Sequence, residues 1–523
     1  LIINFNDYNI TDDITFSANI GQNLQDNLFT QSTNGGDNLT IPGFYNVDNI
    51  TGTPRVSNTI LRSRRMGLFA NLDFGYKDFL FLNITGRNDY VSTLDKENNS
   101  FFYPSAGISF IPTKAFPSLK GDVLNFAKIA VSAVKVGNDG SIGAYETVPV
   151  FEQAANYPYG TLNSFRQDRT ITDPLLEPEF VTSYEGNLNL GFFKDRLTFD
   201  GSYYFSKNTN QIANTSTSSA SGISSSRINI GETETRGFEI DLGFTPIKTE
   251  NFRWDARISY STNETKVIKI SDDTDEIALQ SFPNNANPVG VFAVVGETFP
   301  TIKGTSYLRD PQGRVLIDPT TGTPRVSSDL TNLGTSNPDY IIGLNTSFEY
   351  KGFRLAGVFD YRTGHQFWSG AKSWLSWSGH LIESAENGRG GFIYPNSAIE
   401  TSPGVFEENT NVITGGTTYS NYLNYFSNDY YTVTENFVLD ATAFKVRELS
   451  LTYTLPQDYL AKTPLTAVTV GVNARNPFTV LPKENRGYND PETSNTTGNG
   501  QGLAAINQYP VTRSYGLNLN IKF

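Results

Sequence analysis

Chemistry-bearing residues gather in one stretch above all. Between 365 and 380 lie both histidines of the chain and three of its four tryptophans: His365, Trp368, Trp374, Trp377 and His380. An aromatic cluster of this kind can stack on a flat ligand or grip a partner, since indole buries much area yet keeps a polar N–H. The structural alternative is a loop packed on itself, or a belt at a membrane interface. Two histidines at this spacing, without convergent carboxylates, do not make a zinc site.

Carboxylates are abundant. Asp272, Asp273, Asp275 and Glu276 form an acidic run that reads as solvated surface. The carboxylates are numerous enough to supply a glycosidase-type pair. Glu239 and Asp241 alternate with apolar residues on one segment, as Arg253, Asp255 and Arg257 do on the next. Strand geometry would put each set on one polar face, where acid and base can pair across a hairpin. The chain holds no G-x-S-x-G, P-loop, H-E-x-x-H or C-x-x-C pattern. The reading is of a non-enzyme without cofactor or metal.

The elements that position these residues show a period of two, repeated many times. In 66–76, Met66, Leu68, Ala70, Leu72, Phe74 and Tyr76 share one face, against Gly67, Asn71, Asp73 and Gly75, with Phe69 as the exception. Leu197, Phe199, Tyr203 and Phe205 oppose Thr198, Asp200, Ser202 and Ser206. Trp254 stands with Phe252, Ala256, Ile258 and Tyr260 against the arginines, and Leu519 with Tyr515, Leu517, Ile521 and Phe523. Such runs are roughly 9–12 residues long, the length of a tilted strand that crosses a bilayer. An arginine on the lipid side at the midplane costs about 2–4 kcal/mol. The face with Arg253, Asp255, Arg257, Glu239 and Asp241 is therefore expected to line a lumen, and the apolar face to meet lipid.

Tight links at Lys77-Asp78, Lys194-Asp195 and Lys351-Gly352, and modest ones at 246–251 and 456–465, alternate with long polar stretches. The stretches are 21–62, 138–179, 207–234, 264–339, 364–438 and 476–511, with a flexible Ser/Thr-rich tip at 215–226. The count is about fourteen strands, with a partial one at 1–5, in an all-β antiparallel transmembrane barrel with long outer loops.

Composition agrees. The 523 residues include 27 Tyr, 37 Phe and 45 Gly, which suit strands, girdles and turns. The net charge of -13 argues against a nucleic-acid binder. With no cysteine, disulfides and thiolate metal sites are excluded. No apolar run approaches the roughly 18 residues of a spanning helix. The first residue is Leu1 and no signal peptide is recognisable, as expected of a processed chain or a fragment.

Several segments resemble the barrel of SusC/RagA-like TonB-dependent transporters. They are GLFANLDFGYKDFLFLNITGRNDY at 67–90, IAVSAVKVGN at 129–138, and LEPEFVTSYEGNLNLGFF through SKNTNQI within 176–212. The hairpin at 229–266 (NIGETETRGFEIDLGF onward), 334–353, FKVRELSLTYTLP at 444–456, and GVNARNPFTVLPKENRGYNDP at 471–491 continue the likeness in order. The resemblance implies a closed barrel of about 22 strands. Residues 1–523 would be its C-terminal part, with the plug domain and about eight strands elsewhere. It also implies uptake of a nutrient such as an oligosaccharide or peptide, a SusD-like surface lipoprotein as lid, and TonB acting through the missing plug. Where relatives carry an oxygen-rich loop suited to Ca²⁺, Asp310 to Asp318 is interrupted by Pro311 and Arg314, so a turn at Gln312-Gly313 is expected instead. Terminal Phe523 resembles the aromatic signal of outer-membrane assembly. The alternatives are a scaffold barrel in a larger complex, a passive barrel of about fourteen strands, and a soluble extracellular adhesin or glycan-active protein.

Overall fold

The computed structural model describes the whole chain except residues 140–141, 155–156, 158, 217–219, 221, 224, 273, 283–286, 390, 414–423 and 510. Fifteen strands follow one another in a single meander, each hydrogen-bonded to its neighbours in sequence. They are β1 (Ile2–Thr11), β2 (Ile14–Gly35), β3 (Arg55–Tyr76), β4 (Leu80–Val91), β5 (Ser100–Phe110), β6 (Leu124–Asn138), β7 (Glu179–Phe192), β8 (Leu197–Thr209), β9 (Glu232–Lys248), β10 (Phe252–Lys269), β11 (Tyr340–Tyr350), β12 (Phe353–Thr363), β13 (Ala443–Thr454), β14 (Ala467–Val480) and β15 (Ser514–Lys522). The chain divides into two compact units: Leu1–Ala115, Ile129–Gly186 and Ser206–Glu232 form one, and Phe116–Lys128, Asn187–Phe205 and Thr233–Phe523 the other.

In the first unit the alternation becomes two contrasting ladders. Tyr76, Phe74, Leu72, Ala70, Leu68 and Met66 of β3 stand opposite Leu80, Leu82, Ile84, Gly86, Asn88 and Tyr90 of β4. On the other face Asn71, Asp73, Asn83 and Thr85 form a hydrogen-bonded cluster, with Asn83 Nδ2 donating to Asp73 Oδ1 at 2.6 Å and to Asn71 Oδ1 at 2.8 Å. Phe69 breaks the pattern because Gly21 stands opposite and leaves room for the ring, while the Arg87 guanidinium lies 5.8 Å from its centroid. A Cβ on Gly21 would meet the Phe69 ring at 2.6 Å.

The second unit repeats the scheme. Trp254 faces Phe348, which faces Leu355, then Leu451, Val472 and Leu517 across β10 to β15. Its opposite face carries Arg253, Glu349, Arg354, Thr452, Gly471 and Asn518 in the same manner. Leu519 is 66% exposed, and Trp254 and Phe199 are half-buried, so none of the three sits in a dry core. Within the paired registers of β1–β5 and of β10–β15, the apolar face holds no charged residue except Asp26, Arg62 and Arg64.

Short and long connections alternate as the sequence suggests. Lys77 and Asp78 (φ 47° and 56°) and Lys351 and Gly352 (φ 45° and 88°) take the left-handed conformations whose twist matches a hairpin. One expectation is overturned. Residues 21–62 are not a single loop, because β2 and β3 pair without interruption from Ile14↔Tyr76 to Gly35↔Arg55. Backbone pairing continues there although side chains on both faces are exposed, so no period of two marks the extension.

The long connections build cores of their own. In the second unit, Glu276–Phe282, Val289–Val294, Thr301–Gly304 and Thr331–Thr335 make a four-stranded sheet. Val289, Val291, Ile302, Trp368, Phe437 and Leu503, from three connections, form one buried cluster. In the first unit Val91 and Phe101, at the ends of β4 and β5, form a buried cluster with Leu94, Ile142 and Leu176 from the connections. Of the Ser/Thr-rich tip, Ile212–Ser216 and Ser225–Asn229 pair as strands, and 217–219, 221 and 224 lie outside the described residues.

Phe437 is fully buried in that cluster. Phe437→Ala is expected to cost the loop layer about 3–5 kcal/mol through lost burial and a residual cavity. Hydrogen exchange should accelerate over 289–304 and 434–440 and stay unchanged over 340–363. Equal acceleration in both would show that wall and loop layer unfold together.

Candidate functional site

The expected lumen-wall residues are brought together in part. Arg257 Nε donates to Asp241 Oδ1 at 2.6 Å, an ion pair from β10 to β9. Arg253 turns instead to Asp255, two residues along its own strand and on the same face, with Nη2 to Oδ1 at 3.0 Å. Asp255 also accepts from Thr245 Oγ1 at 2.7 Å, which anchors it beside Arg253. Glu239 is exposed and lines a polar depression of about 360 Å³ with Asn187, Asn189, Asp200 and Asp241.

The cluster at 365–380 separates into a buried and an exposed part. Trp368 belongs to the loop core and packs against Phe282 at a centroid distance of 5.5 Å. His365 is 8% exposed, and burial pushes its pKa down. The helix Gly370–Trp377 is capped by Ser369, whose Oγ accepts from Lys372 N at 3.1 Å. One turn apart on it, Trp374 and Trp377 lie with centroids 4.8 Å from each other, each 49% exposed. His380 is exposed, with Nδ1 3.0 Å from Ser378 Oγ. The five residues therefore do not converge on one site. Trp374 and Trp377 form an exposed pair with rings inclined at 38°, while His365 and Trp368 are buried.

Asp310 makes the turn expected of it. Its carboxylate accepts from Gln312 N at 3.0 Å, Arg314 N at 2.8 Å and Arg314 Nε at 2.7 Å, which uses both oxygens. Burial raises this carboxyl, but those donors outweigh it and hold it below the usual range. In the acidic run, Asp272 pairs with Lys269 at 2.7 Å and Glu276 with Lys303, while Asp273 lies outside the described residues.

Two features escape sequence reasoning. The first is a charged knot where the connection 481–513 folds onto the polar face of β12 and β13. Lys445 Nζ reaches Asp490 Oδ1 and Glu492 Oε2, each at 2.7 Å. Arg447 donates to Glu492 Oε2 and to Asp360 Oδ1, each at 2.8 Å. Arg362 joins through Glu492 at 3.3 Å and Asp360 at 3.1 Å. Three cations thus meet three carboxylates. A β-bulge between Val446 and Glu448 places Arg447 beside the polar ladder without turning Val446 or Leu449 off the apolar one. The signal was present: Arg447-Glu448, two adjacent charges inside an alternating run, marks a bulge. The second feature is a cavity of about 400 Å³ in the first unit, walled by Tyr145, Pro149, Asp168, Asn214 and the Arg227–Glu146 ion pair. Residues so far apart in sequence give no local pattern.

Comparison with known proteins turns on the meander itself. The family described as TonB dependent receptor-like, beta-barrel matches residues 3–358, more than half of the chain. The chain belongs to that family. TonB-dependent receptor P3 of Formosa agariphila is 23% identical over 515 residues, 92% of this chain and 48% of that protein. TonB-dependent receptor SusC of Bacteroides thetaiotaomicron is 24% identical over 222 residues, 41% of this chain and 22% of that protein. The RagAB peptide importer in its closed-closed state superimposes with a TM-score of 0.76 at 17% identity, over 100% of this chain and 55% of that one. At that identity the likeness concerns the fold. The chain spans about half the length of curated relatives that it matches. As in other TonB-dependent receptor barrels of SusC/RagA type, the fold is an antiparallel strand meander.

The knot makes a pH prediction. Burial pushes the Glu492 carboxyl up, yet hydrogen bonds from Arg447 and Lys445 overcome this and hold it at about 2, against an ordinary 4.5. A depressed pKa gives stability that is present above the ordinary value and lost as pH falls through the depressed one. Proteolytic cleavage at the knot end of the connection, around Asp490 and Glu492, is expected to rise as pH drops from 4.5 toward 2. Glu492→Gln should show fast cleavage already at neutral pH and little further change on acidification.

Proposed function

We propose that this chain forms much of the wall of a TonB-dependent outer-membrane importer in a Gram-negative bacterium, of SusC/RagA type, which takes up a nutrient such as an oligosaccharide or a peptide. The observation that carries the reading is the two-faced sheet. Its apolar face is uncovered by protein and nearly free of charge, while its polar face is laced with ion pairs. Hydrocarbon solvates the first at no cost and would penalise the second by several kcal/mol per group. A soluble adhesin would have to leave Leu68, Leu82, Ile84, Leu355, Leu451, Val472 and Leu517 in water, a far larger patch than monomers normally expose.

β1 pairs only with β2 and β15 only with β14 among the described residues. Lipid tolerates no open strand edge. In the membrane both edges need further strands, which the greater length of the relatives would supply together with a plug. The polar face, with Arg253, Asp255, Arg257, Glu239 and Asp241, is then the lumen wall. TonB would act through the plug, and a SusD-like lipoprotein would cover the loop side. Trp374 and Trp377 offer that lid, or the incoming nutrient, a rigid aromatic contact. RagAB is a peptide importer, and the shared fold favours a peptide or a molecule of similar size here.

Sidedness is tested by paired substitutions in the intact protein. Leu451→Arg, on the apolar face, is expected to cost about 2–4 kcal/mol at the bilayer midplane and to deplete the folded protein from outer membranes. Asn473→Arg, on the polar face, should insert normally. Equal insertion of both variants refutes a lipid-facing apolar side. For transport, nutrient-dependent growth should be lost on deletion of TonB and on deletion of the gene alike.

A further inference from the structure

The apolar face has one charged exception, and its position is informative. On β2 and β3 the outward ladder runs Tyr76, Phe74, Leu72, Ala70, Leu68 and Met66, opposite Ile14, Phe16, Ala18, Ile20, Gln22 and Leu24. The next two pairs are Arg64↔Asp26 and Arg62↔Leu28, followed by Ile60↔Thr30. Both arginines share the one acid. Arg62 Nε donates to Asp26 Oδ1 at 2.9 Å and its Nη2 to Oδ2 at 2.6 Å, while Arg64 Nε reaches Oδ2 at 3.2 Å. One carboxylate against two guanidiniums leaves a net charge of +1, and the terminal nitrogens of Arg64 have no partner among the described residues. Side-chain exposure is 48% for Arg62 and 58% for Arg64.

Height decides what lies beside them. Arg64 is twelve residues from Tyr76 along β3. At about 3.3 Å per residue and a tilt of about 45°, it stands roughly 28 Å above Tyr76, just past an apolar band about 25 Å tall. It also lies toward the long connections, on the hairpin that carries residues 36–54 and nine residues short of its last strand pair, Gly35↔Arg55. Leu24, Leu28 and Ile60, all exposed, flank it on the same face. A charge surplus on a lipid-side surface, at head-group height and beside apolar side chains, suits a group that is anionic at one end and acylated at the other. Two guanidiniums side by side match a phosphate, which accepts their paired N–H groups.

We propose that Arg62 and Arg64 bind the phosphate of a phosphorylated glycolipid in the outer leaflet, with Asp26 setting their spacing and moderating their charge. The proposal rests on the reading of the apolar face as the lipid face. Asp26 has a definite part in it: it holds the two guanidiniums on one level and keeps the bare strand pair from repelling itself.

The test uses the intact protein in nanodiscs of phosphatidylcholine that contain a bisphosphorylated glucosamine-disaccharide lipid or its phosphate-free counterpart. Glycolipid retained through a detergent wash is counted by mass spectrometry. The native protein should retain the phosphorylated lipid, and R62Q/R64Q should lose retention on the order of tenfold. Asp26→Asn should raise it, and no form should enrich the phosphate-free lipid. Excess inorganic phosphate should leave the bound lipid in place. Undiminished retention by R62Q/R64Q, equal retention of the phosphate-free lipid, or full displacement by inorganic phosphate overturns the proposal. Heat-resistant migration on gels confirms that each variant is folded. Failure of the native protein to enter the bilayer would instead sink the membrane reading; entry without phosphate preference sinks only this inference.

Discussion

A sheet with two uncovered faces cannot be stable in one solvent, and the rest of the molecule follows from that constraint. Each spanning strand must present apolar groups to one medium and hydrogen-bonding groups to another, so residues alternate by chemistry along it. Asn83, Asn71 and Asp73 satisfy one another on the polar side, as do Arg257 and Asp241. On the other side Leu82, Ile84, Leu451 and Val472 touch neighbours within the sheet and remain exposed. Among the described residues, few large apolar side chains of the strands are buried, Val91 and Phe101 at the loop-side strand ends and Val446 being among them. Buried side chains gather in the long connections, where water surrounds the chain and ordinary burial must hold it together.

That division explains why the connections are structured. A stretch as long as 270–339 without a core would remain a costly open loop. Val291, Ile302, Trp368, Phe437 and Leu503 come from three separate connections, and each contributes about 1.5–3 kcal/mol by burial. None of the three segments can bury these residues alone, so they fold together. Some buried polar groups of the layer are matched: Asn287 donates to Ser373 Oγ at 2.9 Å and accepts from Thr434 Oγ1 at 2.7 Å, whereas Trp368 Nε1 and the Asn485 amide have no hydrogen-bond partner among the described residues.

How far the sequence revealed this depended on whether the forces left a periodic trace. The lipid-facing rule acts on every second residue, so strands such as 66–76 and 252–260 are legible directly. The hairpins at Lys77-Asp78 and Lys351-Gly352 were legible from tight spacing between alternating runs. The extension of β2 and β3 was not, because polar residues such as Ser32 and Asn58 are exposed along it and the backbone ladder continues without an apolar face. The sheet at 276–335 was hidden for the opposite reason: Val289–Val294 is buried on both faces and does not alternate. Of the candidate site, Arg257–Asp241 followed from strand facing. Arg253 did not, since an acid on its own strand competes with one across the hairpin. The division of the tryptophans turns on which side of a short helix meets the loop core, and residue types alone do not encode that.

The connection 481–513 is held in two unlike ways, and the pairing limits how it can move. At one end Glu492 and Asp490 bind Lys445, Arg447 and Arg362 on the polar face of the strands. At the other, Leu503 is wholly buried in the loop core, and Ala504 packs with Phe367 and Leu439. Ion pairs exchange readily with water, whereas withdrawal of Leu503 exposes apolar area and leaves a void. A pull that broke the charged knot would therefore leave the connection anchored by its apolar end. A change in the loop core would leave it anchored by charge. Only a displacement of the whole loop layer would free it from both, so this connection moves with its neighbours or stays in place.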